Sequence, residues 1–192
     1  AGVPSLVTEV SSGVVMIAFN AILLRLEGNV GVAAYGVIAN LSLVVLSIFT
    51  GISQGIQPLL SARYGAGKKA ELAVLLRYAV VTALAVSAVV YAVIFVFAGP
   101  IAAVFNSGAN ARLQALAEYG LRLYFIACPF AGCNIILSVY FTSVERPRPG
   151  QLVSILGGFA VILPMAFALS ALFGLTGVWC ACPAAEAVVT AV

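Results

Sequence analysis

Between Ala33 and Leu60 the sequence AAYGVIANLSLVVLSIFTGISQGIQPLL carries no charge, and this run constrains the fold more than any other feature. As a helix rising about 1.5 Å per residue it would extend roughly 42 Å, beyond the roughly 30 Å hydrocarbon core of a bilayer. It reads as a membrane span. With successive side chains about 100° apart, Asn40, Ser47, Thr50, Gln54, Gln57 and Ser61 fall within about a third of the circumference. An unpaired amide in hydrocarbon costs several kcal/mol, so this stripe is expected to face other helices or a wet cavity, not lipid. Just past it, Arg63, Lys68 and Lys69 mark an end that stays in the cytoplasm.

The rest of the chain has the same character. Hydrophobic residues make up 64% and charged residues 8%, against about a quarter charged in a soluble domain. The mean hydropathy is +1.18. These values require an all-α integral membrane protein with the lipid bilayer as its first partner. The net charge of +3 sits in the links between apolar runs, so it reads as a topology signal and not as a nucleic-acid surface. Histidine and aspartate are absent, which removes the usual general base and most zinc or haem ligation. No paired nucleophile and base is visible, so the chain is not expected to be an enzyme. Cys128, Cys133, Cys180 and Cys182 lie in apolar runs without CxxC spacing and read as small packing residues.

Six spans are expected, at about residues 3–24, 33–60, 72–97, 113–142, 151–172 and 178–192, forming a single unit over 1–192. The first presents Ser5, Glu9, Ser12, Met16 and Asn20 on one face. The third has no polar stripe and belongs at the lipid-facing periphery; residues 100–105 follow it as a short interfacial helix. The fourth contains Glu118 and Arg122 at i, i+4, Pro129 in mid-span, and Asn134 with Ser138 on one face. Glu118 and Arg122 read as a mutual ion pair near the outer end. The fifth has Gly157-Gly158 for close helix approach and Pro164 for a kink, and a tight turn at Gly174 to Gly177 leads into the sixth. That last span places Trp179, Cys182, Glu186 and Thr190 together. Arg63, Lys68, Lys69, Arg146 and Arg148 fall on one side of the membrane, Arg25 and Arg112 on the other. The bias puts both termini in the cytoplasm and the protein in the cytoplasmic (inner or plasma) membrane. The start AGVPS and the abrupt end of the last span read as a piece of a longer protein.

A charged carboxylate at mid-bilayer costs at least about 2.5 to 3.5 kcal/mol on insertion scales, so Glu9 and Glu186 are the sharpest chemical signal. Each is a candidate to carry a proton or hold a coupling cation, with a Na⁺ site near Glu9 as one form of this. The alternative is a neutral packing residue bonded to Ser12 or Thr190. Asn20, Asn40, Gln54, Gln57 and Asn134, with Met16 and Trp179 on the faces of the two glutamates, are candidates to line a substrate cavity. Their amides could equally knit helices together. Pro58, Pro129, Pro164 and Pro183 each free a backbone carbonyl, which permits bending where backbone lines a cavity.

The stretches GVPSLVTEVSSGVVMIAFN, AAYGVIANLSLVVLSIFTGISQGIQPLLSARYGAG, ACPFAGCNIILSVYFTSVERPRPG and GLTGVWCACPAAE closely resemble the C-terminal six-helix half of multidrug and toxic compound extrusion (MATE) transporters. The resemblance implies one lobe of a twelve-helix transporter that exports organic cations or amphipathic drugs in exchange for Na⁺ or H⁺, with no other cofactor. It implies Glu9 as a cation or proton site, and Gln54, Gln57, Asn134 and Glu186 as polar cavity residues. Thr142 and Gly157 depart from the family pattern at positions where Gln and Arg are expected. One lobe offers half a site, so the resemblance implies a missing N-terminal lobe or a second copy as a homodimer. A lipid-linked sugar flippase of the same superfamily, and a non-transporting structural membrane protein, are the alternatives. Mid-membrane glutamates favour a cationic substrate over the anionic one of a flippase.

Overall fold

The computed structural model of the chain describes residues 2–145 and 160–191, with side chains from residue 13 onward. Over those residues the architecture is all-α: α1 Gly2–Gly65, α2 Lys69–Phe105, α3 Ala111–Tyr124, α4 Cys128–Ser143 and α5 Ile162–Ala191. A 3₁₀ turn at Phe125–Ala127 joins α3 to α4. Four stretches among the described residues are long and apolar enough to cross a membrane, where the sequence predicts six spans. The count of six is not reproduced; two of the four stretches are interrupted by a glycine with non-helical backbone angles.

In α1 the turn is at Gly28, with φ 63° and ψ −153°, a conformation that a β-carbon would strain. The two arms come together beyond it, as the stacked rings of Phe19 and Tyr35 show, with centroids 5.3 Å apart. In α5 the turn is at Gly174, with φ 56° and ψ −131°. Its arms are close enough that a β-carbon on Gly177 would collide with the Leu169 carbonyl. The first half of the expected fifth span, including Gly157, lies outside the described residues, as do Arg146 and Arg148.

α2 is bent at Phe97, just before Pro100, and the segment expected as a separate interfacial helix continues it to Phe105. Its outward residues Val74, Val81, Leu84, Val89, Val93 and Val96 are exposed and apolar. This apolar, outward-facing surface fits the expected lipid-facing position. α3 starts cleanly because Asn110 accepts from the backbone N–H groups of Arg112 and Leu113. Beside it, Arg112 pairs with Glu27 at the tip of the α1 hairpin.

Packing follows the logic of a bundle in lipid, where small side chains allow helices to approach and dispersion replaces the hydrophobic drive. Ala34, Ala98, Ala117, Ala166, Ala181 and Ala185 are buried in the main core, around Trp179, Phe19, Phe49 and Ile38. Polar groups inside spans find partners close by: Ser42 Oγ donates to the Ile38 carbonyl at 2.8 Å and Ser87 Oγ to the Ala83 carbonyl at 2.7 Å. Glu118 and Arg122 form the expected ion pair, 2.7 Å, and the Arg122 guanidinium lies 5.2 Å over the Phe95 ring.

Candidate functional site

The second arm of α1 has three sides. Ala34, Ile38, Val45, Phe49, Ser53 and Leu60 are buried against other helices. Val44, Ile48 and Leu59 are exposed and apolar. Between these runs the amide stripe, and Asn40, Ser47, Thr50, Gln54, Gln57 and Ser61 are all exposed. The stripe thus turns away from the described helices. The residues used for packing occupy the neighbouring side, and Asn40 and Ser47 meet part of their hydrogen-bonding need on the Gly36 and Leu43 carbonyls, both one turn back.

A cavity of about 530 Å³ opens beside that stripe, between α1, the α3–α4 junction and α5. Ser42, Phe49, Thr50 and Ser53 form one wall, Tyr124, Phe125, Cys128, Asn134 and Ser138 a second, and Cys182 with Glu186 a third. Thr50 belongs to both the cavity and the stripe, so the two are continuous.

The sequence explains why the second wall is there. Pro129 has no N–H to offer the Phe125 carbonyl, which the Cys128 N–H takes instead, and the chain tightens into the 3₁₀ turn. Ser87 on α2 braces the break by hydrogen bonding the Cys128 carbonyl at 3.2 Å. On the opposite side of the break, Tyr124 faces the cavity together with Ser42 and Cys182. Gly132 lets Phe49 lie against α4, since a β-carbon there would be 2.9 Å from the ring.

Glu186 carries the chemistry of the cavity. Asn134 Nδ2 donates to Glu186 Oε2 at 2.7 Å and to its backbone oxygen at 3.2 Å. Thr190 Oγ1 lies 2.8 Å from that backbone oxygen and 3.0 Å from Asn134 Oδ1. Among the described residues no basic side chain forms an ion pair with Glu186; the four ion pairs all lie elsewhere. A carboxyl group in an apolar cavity, with one neutral amide donor and no ion pair among the described residues, can hold a proton, a metal cation or an organic cation.

Of the residues singled out from sequence, the structure brings Glu186 and Asn134 together at the cavity. Gln54, Gln57 and Asn40 lie on the adjoining stripe and outside the cavity wall; Asn20 is half-buried and Met16 is 46% exposed, neither of them lining it. Trp179, expected in the cavity, is fully buried in the core instead, stacked on Tyr35 with centroids 6.5 Å apart, because a ring of that size fills the space between the α1 and α5 arms. The side chain of Glu9 lies outside the described residues. Phe49 and Tyr124 are wall residues that sequence reasoning missed, and Cys182, placed on the Glu186 face but read as a packing residue, is a third. Pro129 in mid-span was the one signal that could have located Tyr124.

Comparison with known proteins agrees with this architecture. The family model described as MatE matches residues 4–180. "Multidrug export protein MepA" of Staphylococcus saprophyticus is 24% identical over 177 residues, and the protein of the same name from Staphylococcus haemolyticus is 26% identical over 177 residues. Each alignment covers 92% of this chain and 38% of the relative, so the chain spans well under half of their length. Among solved structures, an outward-facing multidrug resistance MATE family transporter of the MOP superfamily superposes with a TM-score of 0.90 at 20% identity, covering 99% of this chain and 43% of that one. An inward-facing MATE family transporter gives 0.92 at 20% identity, covering 99% and 44%. The fold is shared with both.

Proposed function

The chain belongs to the MatE family of membrane transporters, which are not enzymes, and on that premise we propose that it forms one lobe of an efflux antiporter. The lobe exports organic cations or amphipathic drugs and takes up H⁺ or Na⁺ in exchange. The observation that carries this reading is Glu186, an acid in an apolar cavity whose carboxyl group is held by the Asn134 amide and paired with no basic side chain among the described residues. Ion and drug compete for one carboxylate, so binding of either weakens the other. A reciprocal coupling of about 1 to 3 kcal/mol is enough to drive exchange.

Glu9 is the second coupling site, with its Na⁺ or proton shared with or passed to Glu186. The stripe of Asn40, Gln54 and Gln57, with Asn20 and Met16, lines the drug's path between this lobe and a companion lobe. A companion lobe fits better than a second copy, since the chain covers 38% of its relatives' length. The similarity to both outward- and inward-facing transporters supports a lobe that keeps its internal shape while rocking against its partner. The protein sits in the cytoplasmic membrane with its Arg63 and Lys68 end inside; Arg63 and Lys68 both pair with Glu71 there, at 2.9 Å and 2.8 Å. A flippase for lipid-linked sugars would need basic residues around its anionic substrate, and no described basic side chain lines the cavity.

Dye efflux from cells expressing the full-length protein tests the assignment. E186Q and E9Q should each abolish ion-driven efflux while reaching the membrane at parental levels. Undiminished efflux by E186Q would overturn the reading.

A further inference from the structure

The geometry points to Asn134 as the positioning residue of Glu186: by turning its amide over, it satisfies that carboxyl group in both ionised and protonated forms. This rests on the reading of Glu186 as an exchangeable site. As placed, Asn134 directs Nδ2 at Glu186 Oε2, 2.7 Å away, and Oδ1 at the Thr190 hydroxyl, 3.0 Å away. That arrangement suits an ionised carboxylate, which only accepts. Asn134 is 7% exposed, so these contacts are where its hydrogen bonds go.

A proton arriving at Glu186 Oε2 turns an acceptor into a donor, and the amide N–H facing it then has no acceptor. Half a turn about the last torsion of Asn134 brings Oδ1 to the new O–H and Nδ2 to Thr190 Oγ1. Thr190 keeps its own proton on the Glu186 backbone oxygen, which it already faces at 2.8 Å. The turn gives up the 3.2 Å bond from Nδ2 to the Glu186 backbone oxygen, which keeps the Thr190 hydroxyl as its donor, so each form keeps a hydrogen-bonded α4–α5 contact and the state of Glu186 is recorded in the orientation of one amide. Leucine has the size but neither group, and aspartate offers no N–H.

The titratable neighbours around this cavity are Tyr124 and Cys128 on the α3–α4 side and Cys182, one turn back on the helix of Glu186. α1 contributes Ser42, Thr50 and Ser53, none of which ionises. Asn134 is thus the group on a facing helix that hydrogen bonds the Glu186 carboxyl directly among the described residues.

Infrared spectroscopy of the full-length protein in lipid nanodiscs, titrated in Na⁺-free buffer, tests this. The C=O stretch of protonated Glu186 is identified by its loss in E186Q. In N134L the midpoint of that band should move to higher pH by about 1 unit, because both forms lose a hydrogen bond and the one lost by the charged carboxylate is the stronger. In the parent protein labelled with ¹³C-asparagine, a side-chain amide band should change with the same midpoint as the carboxyl band, a measurement that does not depend on N134L folding. An unchanged midpoint in N134L, or asparagine bands silent through the titration, overturns the role of Asn134 and leaves Glu186 as an exchangeable site. If no band removable by E186Q titrates, the reading of Glu186 fails and the inference with it.

Discussion

At the scale of single residues, the Phe49 wall of the cavity is seated in the space that Gly132 leaves open. A β-carbon at Gly132 would lie 2.9 Å from one ring atom and 3.1 Å and 3.3 Å from two others, so the ring would have to move. Gly132→Ala should therefore cost about 1 to 3 kcal/mol, seen as a lower midpoint in thermal unfolding followed by size exclusion. The double variant with Phe49→Leu should recover most of that loss; equal instability of single and double variants would show that the contact does not matter. Glu186 and Asn134 were legible in the sequence because a polar side chain in an apolar span is costly and so marks itself. Phe49 and Tyr124 were not, since an apolar or aromatic residue facing a cavity has the same signature as one in a filled core. Trp179 illustrates the ambiguity: it shares a helix face with Glu186 in the sequence, yet its ring is buried against Tyr35.

At the scale of elements, the folding of the chain depends on where helices turn. The turn at Gly174 could be read from its flanking glycines. The turn at Gly28 could be placed only within the link Arg25 to Gly31, because composition does not say which residue takes a positive φ. Gly28→Ala and Gly174→Ala should each lower stability by about 1 to 3 kcal/mol, the cost of a strained backbone. Gly55→Ala is the control: Gly55 lies inside α1 with no atom within 4 Å of a would-be β-carbon, so this change should cost nothing. Equal effects at all three sites would contradict the assigned turns. The 3₁₀ turn at Phe125–Ala127 was half-legible, since Pro129 announces a lost hydrogen bond but not which carbonyls the cavity receives.

At the scale of the whole molecule, the amide stripe of α1 was readable as a face but not in its direction. Periodicity reports which residues share a side of a helix; what that side meets depends on the neighbouring chain, and the described helices leave it open. In the proposed transporter this side meets the drug path and the companion lobe. Gln54→Leu with Gln57→Leu should then lower drug efflux several-fold with little change in thermal stability, whereas a stability loss without a transport defect would make the stripe structural glue. The central claim, that one carboxyl group in the lobe cavity trades an inorganic ion for an organic one, is tested most directly in proteoliposomes of the full-length protein. An organic cation added to one side should drive H⁺ or Na⁺ in the opposite direction, read with a pH- or Na⁺-sensitive dye inside the vesicles. Parent protein should show this counterflow and E186Q should show none; counterflow of equal size in E186Q would contradict the claim.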